Sequence, residues 1–190
     1  MQTEYAEAYP DLYHRHWWWR VREKILIGVI SDVVAGMKDV RILDVGCGAG
    51  LFFDALSRFG YVEGVESDRT VVERSGLWRP RIQVGPLGVS GPRFDLILLL
   101  DVLEHVSDPA ALLRIVRSRL STRGTLIVTV PAFNWLWTSH DVLNQHVRRY
   151  SRSELLRELT DQRFVLRKSR YLFPSLVAPK LAVRIKERLG

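Results

Sequence analysis

The sequence predicts an α/β fold, a doubly wound and mostly parallel sheet with helices on both faces. Three observations carry this. Short apolar runs alternate with helical patterns from residue 41 to residue 169, and strands that alternate with helices build parallel sheets. A glycine-rich loop, Gly46-Cys47-Gly48-Ala49-Gly50, follows the first of these runs, at the strand end where open α/β sheets bind ligands. The run Phe94–Leu100 is nearly all apolar, as a strand covered on both faces must be.

Val21, Ile25, Val29 and Val33 recur at four-residue steps, which predicts an amphipathic helix ending near Gly36. Arg41–Val45 reads as a buried strand, and a helix over Leu51–Phe59 is stopped by Gly60. Tyr61–Glu66 is the second strand, Arg69–Ser75 a short helix, Arg81–Val84 a third strand and Phe94–Leu100 the fourth. Asp108 before Pro109 is a capping acid followed by proline at the first helical position. Gly124 turns the chain into a fifth strand, Thr125–Val130, and Ser151 and Glu154 have capping-box spacing before another helix. Phe164–Ser169 reads as a sixth strand.

At 190 residues the chain has the size of one domain. It divides into an aromatic N-terminal lid and helix (1–36), a core (37–175) with a cap loop over 131–150, and a basic amphipathic C-terminal helix (176–190). The net charge of +7 favours an anionic partner, although all but five of the 28 basic residues are arginine, a bias that codon composition alone can produce. Cys47 is the sole cysteine, so no internal disulfide forms and a reducing compartment fits. The first ten residues lack the order of a signal peptide, and no apolar run approaches the roughly 20 residues of a membrane span. The expected location is cytoplasmic.

Glycines at the end of the first strand let the backbone approach a ligand closely and present amides at a helix start. Their spacing is Gly-x-Gly-x-Gly, not the Gly-x-Gly-x-x-Gly of dinucleotide binders. Glu66 ends the second strand 20 residues after Gly46, the position from which an acid accepts hydrogen bonds from ribose hydroxyls. The fourth strand runs into Asp101-Val-Leu-Glu104-His105.

Together the loop from Leu43 to Gly50, Glu66 and the stretch Phe94–Val106 resemble the small-molecule branch of the class I methyltransferases, whose fold is Rossmann-like and whose methyl donor is S-adenosylmethionine. The resemblance implies that Asp44 fixes the loop and reaches the cofactor amine, that Gly46, Cys47, Gly48 and Gly50 line the cofactor, and that Glu66, with Ser67 beside it, holds the ribose. Asp101 would sit beside the cofactor. Where the family places an acid near the adenine, this chain has Gly85-Pro86-Leu87, so Pro86 and Leu87 would supply apolar packing instead. The family ends with a seventh, antiparallel strand for which no β-like run follows residue 169, so six strands are expected.

Methyl transfer requires alignment of the acceptor and exclusion of water, and a base only where the acceptor loses a proton. His105 is the first candidate; a hydrogen-bonding structural role would account for it equally. Asp101, Glu104 and His105 resemble the acid-x-x-Glu-His pattern of ubiquinone-pathway O-methyltransferases, where a divalent metal is implicated. Aspartate stands in the first position here, and the expected metal site is none. Tyr5, Tyr9, Tyr13 and Trp17 to Trp19 suggest an aromatic lid, with Arg20 or Arg22 able to reach the cofactor carboxylate. A loop as long as 131–150 is usually functional, and its His146-Val-Arg148-Arg149-Tyr150 makes His146 and Tyr150 further catalytic candidates and the arginines candidates for an anionic acceptor, unless they buttress the cap.

The expected function is methylation of a small molecule, with oxygen slightly favoured as acceptor atom. An RNA or DNA methyltransferase is the enzyme alternative, and the absence of an Asn/Asp-Pro-Pro-aromatic run argues against nucleic acid. A noncatalytic cofactor-binding scaffold is the other alternative. An uncovered sheet edge invites association, so the C-terminal helix is expected to cover it, to pair with a second chain as a homodimer, or to lie on an anionic membrane surface, the first two being favoured.

Overall fold

Five parallel strands form one sheet among the residues described, 13 and 15–189, in the computed structural model. In chain order the strands are β1 (Arg41–Val45), β2 (Tyr61–Glu66), β3 (Ile82–Val84), β4 (Phe94–Leu100) and β5 (Leu120–Thr129), arranged β3-β2-β1-β4-β5. The order reverses between β1 and β4, the switch point at which such sheets open a crevice. The helices are α1 (Trp17–Val34), α2 (Phe53–Leu56), α3 (Arg69–Val72), α4 (Pro109–Arg119), α5 (Ser139–Leu143), α6 (Arg152–Asp161) and α7 (Val177–Leu189).

Side chains alternate across a strand, and β4 shows the result. Leu96 and Leu98 join Leu26, Ile30, Ile42 and Phe53 on one face, while Ile97 and Leu99 join Leu43, Leu113 and Val116 on the other. Both clusters are buried, so the apolar run has no solvated side. Asp108 caps α4, accepting from the Ala111 amide at 2.9 Å, and Ser151 and Glu154 close a reciprocal capping box at the start of α6.

Three expectations are corrected. Strand β5 begins at Leu120, not Thr125, because a register shift between Phe94 and Leu96 lets it pair with β4 earlier. The segment 164–169 is not a strand: Val165 and Leu166 are both exposed, so no buried face fixes a register. The described sheet therefore has five strands, not six. The C-terminal helix does not lie along β5. It packs mainly on the turns at Asn134–Leu136 and Pro174–Leu176, and Glu187 accepts from the Ser139 amide and hydroxyl at 3.1 and 2.7 Å. Among the described residues no helix is long and apolar enough to cross a membrane.

Candidate active site

A cleft opens at the carboxyl ends of β1, β2 and β4, lined by Gly46, Cys47, Gly48, Glu66, Asp101 and His105 and roofed by Trp18, Trp19 and His146. The glycine loop is held in place by backbone geometry. Gly46 sits at φ 73, and a β-carbon there would meet the Val102 side chain at 2.7 Å, so only glycine fits. Gly64 in β2 has no room either: a β-carbon would meet Cys47 Sγ at 2.5 Å and Phe53 at 2.7 Å. Cys47 is thus a wedge between loop and sheet. Burial, with the charges of Asp44 and Glu66, pushes its thiol far up, which removes it as a nucleophile.

Glu66 ties the loop to β2. Its Oε2 accepts from the Gly48 amide at 2.9 Å, and Oε1 accepts from the Asp68 amide at 2.9 Å and the Ser67 hydroxyl at 3.2 Å. A carboxylate has about four lone-pair sites, so one on Oε2 is left for a ligand hydroxyl. Asp44 lies buried at the end of β1; burial pushes its carboxyl up to about 7, Arg22 opposing and Glu66 reinforcing the shift. An approaching ligand ammonium would restore its charge. Leu87 is buried in the second core cluster, and Pro86 is exposed next to Gly85, whose amide donates to Glu66 O at 2.8 Å. Asp68 and Val71 line the cleft wall.

Asp101 adopts φ 59 as β4 ends, a left-handed conformation that aspartate tolerates better than most residues. Its carboxylate accepts from Thr129 Oγ1 at 2.9 Å and from Arg22 Nη2 at 2.7 Å. Arg22 also lies over the rings of Trp18 and Trp19, 5.6 and 5.5 Å from their centroids. The Trp18–Trp19 end of α1 is therefore held by this arginine, while Arg20 is exposed. Phe173 packs against Trp17 and Trp18. Tyr5 and Tyr9 lie outside the described residues.

Next to Asp101 sits a group of acid–base side chains. Glu104 is fully buried, with neither carboxylate oxygen hydrogen-bonded; burial and the nearby Asp101 push it up to about 8. His105 faces the cleft, its ring 4.8 Å from that of His146 and nearly perpendicular to it. The covered part of the His105 ring, and the neighbouring His146, lower its pKa below the ordinary imidazole value. Donor atoms of Glu104, His105 and His146 all lie within 4.8 Å of one another.

The cap loop supplies His146 and anchors it. The Val147 amide donates to Glu104 O at 2.8 Å, and Arg148 Nη2 to Ser107 O at 3.0 Å. Arg149 is turned inward, its Nε and Nη2 on the two oxygens of buried Asp141 at 2.7 and 3.0 Å. Neither arginine is presented to an anionic acceptor. Tyr150 packs its ring in the second core cluster, its backbone pairs with Pro131 and Phe133, and burial pushes its phenol far up. From the sequence, Glu104 stands only in the acid-x-x-Glu-His pattern and Asp141 only in the long loop 131–150, neither with an assigned role.

A methyltransferase-domain family model matches residues 1–168. Among curated relatives, the ubiquinone biosynthesis O-methyltransferase of Bartonella quintana (strain Toulouse) is 30% identical over 127 residues, 60% of this chain and 51% of the relative. That of Cereibacter sphaeroides (strain ATCC 17025 / ATH 2.4.3) is 35% identical over 120 residues, 56% and 48% of the two chains. The match thus spans about half the length of these relatives. Among solved structures, the YcgJ protein of Bacillus subtilis superposes with a TM-score of 0.66 at 20% identity, covering 86% of this chain and 80% of that one. Magnesium protoporphyrin IX methyltransferase of Synechocystis PCC 6803, solved with bound SAH, gives 0.61 at 17% identity, covering 77% and 75%. With its parallel sheet, its glycine loop and a family model matched over most of its length, this chain belongs to the methyltransferase-domain family, the class I S-adenosylmethionine-dependent methyltransferases.

Proposed function

We propose that this protein transfers a methyl group from S-adenosylmethionine to a small molecule, at oxygen, in the cytoplasm. The observation that carries the reading is the pairing of two features across one cleft: the Gly46–Gly50 loop clasped by Glu66 through the Gly48 amide, and the His105–His146 pair 4.8 Å apart beyond Asp101. Loop amides, Glu66 and buried Asp44 fit a ligand with hydroxyls, an ammonium and an apolar ring system against Val71. When bound, the cofactor supplies an electrophilic methyl on a sulfonium.

The chain's own residues then have three tasks. Glu66 and the glycine loop fix the donor. Trp18, Trp19 and the cap loop exclude water. His105, kept neutral near pH 7 by its lowered pKa, takes the proton from an acceptor hydroxyl as that oxygen attacks. The curated relatives named for ubiquinone biosynthesis support a hydroxylated aromatic acceptor class. Incubation with methyl-labelled S-adenosylmethionine and a panel of small hydroxylated aromatics should place label on oxygen. Failure with every acceptor, alongside tight binding of S-adenosylhomocysteine, would favour a noncatalytic scaffold.

Glu104 favours a second reading. A buried carboxylate without a hydrogen bond, beside two imidazoles, is a donor set that fits a divalent cation. Held by Glu104, His105 and His146, the ion would lower the pKa of an acceptor hydroxyl in place of a base. Turnover abolished by a chelator and restored by Mg²⁺ or Zn²⁺ would select this reading; chelator-insensitive turnover would select the base.

A further inference from the structure

We infer that Asp141 is a positioning residue for the methyl-transfer site: clamped by Arg149, it holds His146 in the tautomer that carries its proton on Nδ1 and leaves Nε2 free beside His105. This rests on the functional reading above, and deepens it. The geometry is that of a buried carboxylate used from both sides. Asp141 has no solvent exposure, and its Oδ1 accepts from His146 Nδ1 at 2.9 Å and from Arg149 Nε at 2.7 Å. Its Oδ2 accepts from Arg149 Nη2 at 3.0 Å and from the Thr138 amide at 2.9 Å.

The hydrogen bond at one imidazole nitrogen decides which nitrogen carries the proton. A carboxylate held ionised is acceptor-only, so the nitrogen facing it must be the donor. Asp141 meets donors on both oxygens, the Arg149 guanidinium on Oδ1 and Oδ2 and the Thr138 amide on Oδ2. Nε2, across the ring, therefore keeps its lone pair, which can take a proton or a metal ion.

A purely structural role would need less. As the third residue of α5, Asp141 completes a capping box with Thr138, and one oxygen is enough for that. The other oxygen, Oδ1, is shared between Arg149 and His146, whose side chain is 12% exposed and lines the cleft. Arg149 in turn is fixed by donating Nη1 to Ala132 O at 2.9 Å, at the isolated bridge between Ala132 and Tyr150 that follows β5. The chain of contacts runs from the sheet to the imidazole with no exposed member.

The test is ¹⁵N NMR of the histidine rings in the wild-type protein above pH 8, joined to calorimetry with S-adenosylhomocysteine. His146 should show a single Nδ1–H tautomer. In Asp141→Asn an amide can accept on one side only, so one pair of donors must face an NH₂ group. The tautomers of His146 should then mix and kcat fall about 10- to 100-fold, with KM for the methyl donor and affinity for S-adenosylhomocysteine unchanged. A wild-type His146 in the Nε2–H form would overturn the inference whether or not the variant folds, as would full kcat in Asp141→Asn. Wild-type protein that shows the Nδ1–H form but does not bind S-adenosylhomocysteine would overturn the functional reading instead.

Discussion

Arg22 and Asp101 form an ion pair of 2.7 Å that joins the first described helix to the end of the fourth strand, across 79 residues of sequence. The guanidinium also donates to Thr129 Oγ1 at 3.0 Å, so a single side chain ties α1, the end of β4 and β5 together. It lies near Asp44 as well, whose charge it favours.

Arg22→Met keeps most of the stem and removes the charge. Asp101 is partly exposed, so the loss should be moderate, about 1–3 kcal/mol, or about 2–4 °C in Tm for each kcal/mol in a chain of this size. Thermal unfolding measures it. A further loss of affinity for S-adenosylhomocysteine is expected, because the variant releases Trp18 and Trp19 as well.

Glu104 gives the protein a pH-dependent stability. Its carboxyl is raised from 4.5 to about 8 in the folded state by burial first and Asp101 second. The folded chain thus binds more protons than the unfolded one between these values, and stability falls as pH rises through that window. The contribution is fully present below pH 4.5 and lost above about 8. In chelator, Glu104→Gln should therefore flatten the decline of Tm with pH and melt higher than wild type at pH 9. A variant that melts lower at pH 9 would show that the carboxylate has a hydrogen-bonding partner such as water.

His105→Gln should bind S-adenosylhomocysteine normally and lose about 10²–10⁴ in kcat. Because burial and His146 lower the His105 pKa, the wild-type rate should persist below pH 6.5 before its acid limb falls, and that limb should vanish in the variant. Steady-state kinetics across pH 5–8 with an accepted substrate checks both.

How much of this was legible in the sequence follows the range of the interactions. Strands β1, β2 and β4 were readable to the residue because their signal is local: apolar runs ended by Gly46, Ser67 and Asp101. The caps at Asp108 and Ser151 were readable for the same reason. That the glycine loop, Glu66 and His105 share one cleft was readable because they lie at or just beyond strand ends. What stayed hidden depends on distant partners. Arg22 could not be chosen over Arg20 without knowing that Asp101 and Thr129 lie across from it. Leu87 looked available to a ligand but finds the second core cluster, and Tyr150 likewise follows its backbone pairing into the interior. Phe164–Ser169 has strand composition, yet strand formation needs a buried face that Val165 and Leu166 do not find. Asp141 looked like one polar loop residue among many until Arg149 and His146 closed on it.

The cleft between the Gly46–Gly50 loop and Glu66 is the proposed site for S-adenosylmethionine. Isothermal calorimetry of S-adenosylhomocysteine with the wild type and with Glu66→Ala tests it most directly. The expected result is one site per chain, no heat from NAD or ATP, and weaker binding in the variant by about 1.5–3 kcal/mol for each charge-assisted hydrogen bond lost. No binding of S-adenosylhomocysteine to the wild type, or equal affinity in Glu66→Ala, would contradict it.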